Sequence, residues 1–177
     1  RRSPSKPNIN FGLRLADVAQ GYESAGVAGM SVLTNNQYFG GSIEDLLLAR
    51  QACELPLLRK EFTVDEYQVL EAKANGADAI LLIAACLEKP DIKILSTLAQ
   101  QLGMEVLLEV HNADELKKSI MPSIDMIGVN NRDLTSFRVS LKTSKSLVDQ
   151  IPTEFVKLSE SGLSSAESVF ELRDCGY

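Results

Sequence analysis

Pro56-Leu57-Leu58-Arg59-Lys60-Glu61-Phe62 is a short apolar run, opened by proline, that breaks abruptly into charge. A run of this length with such boundaries reads as a buried strand. Directly behind it, Thr63-Val64-Asp65-Glu66 has the form of a helix capping box. A lysine at the exit of a buried strand, beside a helix start, lies where α/β proteins place their chemistry. For one isolated strand an exposed turn lysine would be the plainer reading. The chain overturns it by repeating the arrangement several times, each time with a different functional side chain.

Working outward toward the N-terminus, Val27–Thr34 reads as a strand of small and β-branched residues. A helix precedes it, with Leu15, Val18, Ala19 and Tyr22 at helical spacing and Gly26 as its stop. Residues 1–12 read as a loop, and so does Asn35–Gly41, which leads to Ser42 as the N-cap of a helix carrying Leu46, Leu47 and Leu48. Toward the C-terminus, Tyr67, Leu70 and Ala74 define a helix face, closed by Gly76. Ala77–Ala85 is a nearly continuous apolar strand, as expected when both faces are covered. A helix with Ile94, Leu95, Leu98, Ala99 and Leu102 follows, then a strand over 104–110 and a helix capped by Asn112-Ala113-Asp114-Glu115. A strand over 124–130, a helix near 143–150, a strand over 155–159 and a last helix opened by Ser164-Ser165-Ala166-Glu167 complete the chain.

The repeating unit is strand, polar loop, helix, glycine, strand. It implies right-handed crossovers and a parallel sheet. A (β/α)8 TIM barrel and an open doubly wound sheet both fit, and functional residues after most strands favour the barrel. About six βα units are legible, so the barrel is expected to be incomplete. At 177 residues and 45% hydrophobic content, residues 1–177 are expected to form one domain.

Composition limits the functions. The net charge is −6 and no long basic stripe occurs, which argues against nucleic acid as a partner. No apolar run reaches the length of a membrane span, and no signal core follows the basic Arg1-Arg2-Ser3-Pro4-Ser5-Lys6 start, so a cytoplasmic protein is expected. Cys53, Cys86 and Cys175 are an odd number without a CxxC spacing and are expected as reduced thiols. The single histidine, His111, lacks a ligand cluster in sequence, so no metal site is expected. Neither GxGxxG nor a P-loop follows any strand.

On a parallel barrel the strand C-termini converge on one face. Read that way, Ser31, Thr34, Lys60, Glu109, Asn130 with Arg132, and Glu160-Ser161-Gly162 come together. A lysine and a glutamate facing one pocket are a natural acid/base pair, each tuned by burial and by the other's charge. Ser161 and Gly162, just ahead of a capped helix, suit a phosphate. Taken singly, each has a plain structural alternative: an ion pair, a polar turn, a loop glycine.

Together these residues are matched in one family. Ser3-Pro4-Ser5-Lys6, Ser31–Thr34 with Phe39–Ser42, Pro56–Phe62, Gly76–Ile83, Leu108-Glu109-Val110, Ile127–Leu134 and Ser159–Gly162 occur in its order. The chain resembles indole-3-glycerol phosphate synthase, of tryptophan biosynthesis. The resemblance implies a (β/α)8 barrel and a cofactor-free carboxy-lyase. Its substrate would be 1-(2-carboxyphenylamino)-1-deoxyribulose 5-phosphate, cyclised with loss of CO2 and water. By resemblance Lys60 is the general acid, Glu109 the base of the dehydration, and Asn130 and Glu160 position the hydroxyls and ring amine. Ser161 and Gly162 would hold phosphate, with Ser3 lining the site. Phe39, Phe62, Leu81 and Leu134 would form the apolar slot for the aromatic ring, with Arg132 supporting its wall. A monomer or weak homodimer is expected, with neighbouring tryptophan-pathway enzymes as candidate partners.

The sequence departs from the family pattern at both ends. The family's first-strand Glu-x-Lys would precede Arg1, and its eighth-strand phosphate turn would follow Tyr177. Pro7 stands where a glycine is common. The chain is therefore expected to be the centre of a synthase without its first and last strands, prone to aggregate and nearly inactive if isolated. The competing readings are a non-catalytic barrel that binds a phosphorylated ligand, and a sugar-phosphate isomerase.

Overall fold

The computed structural model describes residue 12 and residues 14–177. Six parallel strands alternate with helices: α1 (Leu15–Ser24), β1 (Met30–Leu33), α2 (Asn36–Phe39), α3 (Ile43–Ala52), β2 (Leu57–Lys60), α4 (Glu66–Ala74), β3 (Ala79–Ile83), α5 (Lys89–Gln101), β4 (Glu105–Val110), α6 (Ala113–Ser119), β5 (Met126–Asn130), α7 (Lys142–Leu147), β6 (Val156–Glu160) and α8 (Ala166–Asp174). A 3-10 turn, Val148–Gln150, extends α7. The strands lie in the order β1-β2-β3-β4-β5-β6, each parallel to the next.

Two apolar layers explain why this sheet curls. In β3, Ile80 and Leu82 belong to the large core shared with the helices, whereas Leu81 and Ile83 pack inward with Leu107 of β4. Leu58, Phe62, Met126 and Leu158 close around that inner cluster. All five residues of β3 are buried, which accounts for its unbroken apolar sequence. The curvature has a direct witness: Lys60 of β2 lies 3.3 Å from Glu160 of β6. Four strand spacings separate them along the sheet, about 19 Å if it were flat. The six strands therefore form an incomplete (β/α)8 barrel rather than an open doubly wound sheet. No described helix is long and apolar enough to cross a membrane.

Several local expectations are corrected. Asn35–Gly41, read as loop, contains the helical turn α2, because Asn35 caps Tyr38 N–H and Gly40 closes the turn in the left-handed conformation. β1 covers only Met30–Leu33 of the strand expected over Val27–Thr34. The cap of α4 pairs Asp65 with Gln68 rather than Thr63 with Glu66. Its buried face is Val69 and Ala72, while Tyr67 and Leu70 stand exposed. Arg59 sets that rotation: its guanidinium donates to the Gln68 carbonyl at 2.7 Å and to Glu71 Oε2 at 2.6 Å, turning residues 68–72 toward the sheet. In α3 only Leu46 of the three leucines is buried, and in α5 Ile92 and Ser96 replace Ile94 at the core.

Candidate active site

The sheet places one charged side chain at or near the exit of each alternate strand. Lys60 ends β2, Glu109 lies near the end of β4, and Glu160 ends β6. Lys60 Nζ sits 3.3 Å from Glu109 Oε2 and 3.3 Å from Glu160 Oε2. Asn130, the last residue of β5, donates from Nδ2 to Glu109 Oε1 at 3.0 Å, and its Oδ1 accepts the Arg132 N–H at 3.0 Å. Gly128 makes room for this grouping. A Cβ there would collide with Glu160 Oε1.

Beneath the charges lies a cavity of about 580 Å3, floored by Leu58, Leu81, Ile83, Leu107 and Leu158. Phe39, Phe62, Leu134 and Phe137 form its apolar wall, and Arg132 and Ser161 stand on its rim. Phe39 stacks on Phe62 with centroids 6.1 Å apart, and Tyr38 meets the same ring edge-on at 5.5 Å. Arg132 donates from Nη1 to the Phe137 carbonyl at 3.4 Å, tying the loop that carries Leu134. A wider cavity of about 820 Å3 occupies the opposite end of the strands. Among the described residues its lining includes exposed Glu54, Asp78 and Glu105 but no basic side chain, so the described lysine–carboxylate cluster lies at the C-terminal end of the strands.

The turn after β6 is built for one shape. Ser161 and Gly162 take left-handed backbone angles, φ 64° and 81°. Buried Asn131 holds them, donating to Ser159 Oγ at 2.9 Å and to the carbonyls of Glu160 and Ser161 at 3.0 and 3.2 Å. Its Oδ1 accepts the Ser144 N–H at 3.1 Å, and Ser144 and Ser159 hydroxyls meet at 2.7 Å.

Electrostatics divides the two carboxylates. Burial pushes Glu109 up, but the His111 ring, the Lys60 charge and the Asn130 amide outweigh it and hold Glu109 at about 2. Burial raises Glu160, Lys60 opposes, the Glu109 charge adds to the rise, and the net shift is upward. Burial alone would lower Lys60, yet Glu160 and Glu109 carry it above the ordinary lysine value. The arrangement thus presents a cation, an ionised carboxylate and a second, more readily protonated carboxyl group around one pocket mouth.

Of the residues expected from sequence, Lys60, Glu109, Asn130, Glu160, Phe39, Phe62, Leu81, Arg132, Leu134 and Ser161 all line this cavity, with Gly162 next to Ser161. Ser3 lies outside the described residues. Thr34 faces away, donating to Glu61 Oε2 at 3.0 Å and accepting from Arg59 Nε at 3.2 Å. Sequence reasoning missed Phe137, Glu61 and His111. For His111 a signal existed: at two residues beyond Glu109 it shares that residue's strand face.

A barrel whose strand C-termini gather a lysine, two glutamates and an asparagine over an apolar pocket defines a class: the (β/α) barrels that carry a polar, charge-paired pocket at the C-terminal end of their strands. Comparison with known proteins makes this particular. The chain belongs to the indole-3-glycerol phosphate synthase family, whose model matches residues 1–177. It is 46% identical over 174 residues to the indole-3-glycerol phosphate synthase of Polaromonas naphthalenivorans, covering 98% of this chain and 66% of that protein. The synthase of Chromobacterium violaceum is 49% identical over 169 residues, covering 96% and 64%. That of Bacteroides thetaiotaomicron is 45% identical over 177 residues, covering 100% and 68%. The chain thus spans about two thirds of the length of these curated relatives. Among solved structures, a KDPGal structure superposes with TM-score 0.64 at 16% identity, covering 93% of this chain and 75% of that one. A mutant tryptophan synthase alpha-subunit from Pyrococcus furiosus gives 0.60 at 20% identity, covering 76% and 58%. These structural likenesses concern the fold.

Proposed function

We infer that the pocket serves the indole-3-glycerol phosphate synthase reaction, a decarboxylating lyase step of tryptophan biosynthesis on a small-molecule substrate. The observation that carries this reading is Lys60 Nζ at 3.3 Å from both Glu109 and Glu160 at the mouth of an apolar pocket. In the proposed course, Lys60 gives a proton to the ketone oxygen of 1-(2-carboxyphenylamino)-1-deoxyribulose 5-phosphate as the ring carbon bearing the carboxylate attacks the ketone carbon. Loss of CO2 restores the aromatic ring. Lys60, reprotonated from solvent, gives a second proton to the new hydroxyl, which leaves as water pushed by the ring amine, and Glu109 takes the proton released as the indole double bond forms. Glu109, held ionised, suits the base, and a lysine kept charged by two carboxylates suits the acid.

Phe39, Phe62, Leu81 and Leu134 would clasp the aromatic ring, with Arg132 bracing that wall. Ser161 and Gly162 would take the phosphate, and Asn130 and Glu160 the hydroxyls and amine. Ring closure needs a bent substrate, and anchoring both ends supplies the orientation. No step in this course calls for a cofactor.

The test is indole-product fluorescence from the full-length gene product given the anthranilate-derived substrate. Product from the wild type, with a fall of about 10²-fold or more in Lys60→Ala, is the expected outcome. A folded protein that turns over no substrate would sink the reading.

A further inference from the structure

His111 takes no part in the chemistry above, yet its ring is wedged between carboxylates from two elements. Its Nε2 lies 3.3 Å from Glu109 Oε1, an ion-pair contact without the alignment of a hydrogen bond. Its Nδ1 lies 3.1 Å from Glu115 Oε2, and the side chain is 12% exposed. Glu115 is itself fixed at the start of α6. Its Oε2 accepts the His111 backbone N–H at 2.8 Å, and its Oε1 accepts Asn112 Nδ2 at 2.7 Å. A neutral imidazole has one N–H and one lone pair. Between two carboxylates it would set that lone pair against an oxygen. Only the imidazolium meets both partners with a proton.

We propose that His111 is a positioning residue for Glu109: an imidazolium braced by Glu115 that fixes the Glu109 carboxylate in the orientation facing Lys60. The proposal rests on the acid/base reading of the pocket. The groups that bear on the ring are Glu109 on β4, Glu115 on α6 and Asp133 after β5, with Cys86 after β3 near the same two glutamates and Lys60 and Glu160 beyond Glu109. Burial works against the charged ring, and Glu109 and Glu115 more than restore it. As pH rises through this raised value the ring loses its proton and Glu109 loses a partner. Lys60, also raised, is still charged at that point.

Two measurements test this in the full-length protein. The first is NMR titration of the imidazole nitrogens, with His111→Gln identifying the signal. The expected result is an imidazolium that persists above the ordinary 6.5 and titrates lower in Glu115→Gln. A ring titrating at or below that value, unmoved by Glu115→Gln, overturns the proposal. The second compares two amide variants: Asn reaches only the place of Nδ1, whereas Gln carries its NH2 group to about that of Nε2. His111→Asn should lower kcat about tenfold with KM held within about threefold. His111→Gln should recover most of that loss and abolish the alkaline limb set by the ring. Equal losses in both variants, or a loss confined to KM, overturn it. The NMR arm needs no turnover, so a wild type that forms no product sinks the function while the titration still decides the role of His111.

Discussion

Glu109 and Glu160 are the same residue type a few ångströms from the same lysine, and their surroundings drive them apart. Glu109 is depressed from its ordinary 4.5 to about 2, so the stability it contributes is present above the ordinary value and is lost as pH falls toward 2. Melting temperature followed from pH 5 to 2 should therefore show a descending limb that Glu109→Gln flattens. Gly128 is the other residue-scale determinant. Gly128→Ala would displace the Glu160 carboxylate, and we expect a cost of about 1–3 kcal/mol together with a fall in kcat of about tenfold or more. Urea denaturation and steady-state kinetics on one preparation would separate the two effects. Lys60, Glu109, Asn130 and Glu160 were legible in the chain because each lies at or near a strand end, whereas the apolar wall was legible only through the family resemblance. His111 was passed over although it shares the strand face of Glu109, because its second carboxylate, Glu115, joins it only through the first turn of α6.

Among the elements, β2 does double duty. Its inward side chains Leu58 and Lys60 build the pocket, while Arg59 between them reaches outward to Thr34, Gln68 and Glu71. Arg59→Ala removes the partner of Glu71 and the clamp that sets the rotation of α4. Since Glu71 is 27% exposed, a loss of about 2–3 kcal/mol is expected in equilibrium unfolding, below that of a fully buried pair. Asn131→Ala should act on the turn after β6, freeing the carbonyls of Glu160 and Ser161 and weakening the proposed grip on the substrate's phosphate. A KM that rises several-fold with kcat nearly unchanged would be its signature. These same elements show where sequence reading fell short. Strand order, glycine stops and most caps follow local rules that a linear reading can apply. The face of α4 does not, because Tyr67 and Leu70 fit a helical stripe as well as Val69 and Ala72 do. The deciding contacts come from Arg59 on another element. Likewise α2 is held by Asn35, whose side chain also donates to Glu61 of the next strand unit at 2.8 Å.

For the molecule as a whole, the Lys60 pair acts as a chord across the sheet. Lys60→Met would leave two acidic groups facing each other with no cation between them. The variant should be less stable than wild type by about 2–4 kcal/mol at pH 8, and the difference should shrink as the carboxylates protonate below pH 5. A difference independent of pH would mean that Lys60 stabilises through packing instead. The choice between a barrel and an open sheet was visible in sequence only as a distribution of functional residues over many strands. The curvature that decides it lies in the inner layer of Leu81, Ile83 and Leu107, whose alternation with Ile80, Leu82 and Leu108 is hidden inside runs that are apolar at every position.

The chord also has a history in time. Lys60 and Glu160 are 100 residues apart in the chain. A refolding molecule can assemble β2 through β5, acquire nearly all its helix, and still hold a lysine with a single carboxylate beside it. The last neighbour arrives only when the longest loop closes, and such closures are slow. Helical ellipticity should then return ahead of catalysis after dilution from urea. The interval between the two signals would time the moment at which the sheet bends far enough for its chemistry to exist.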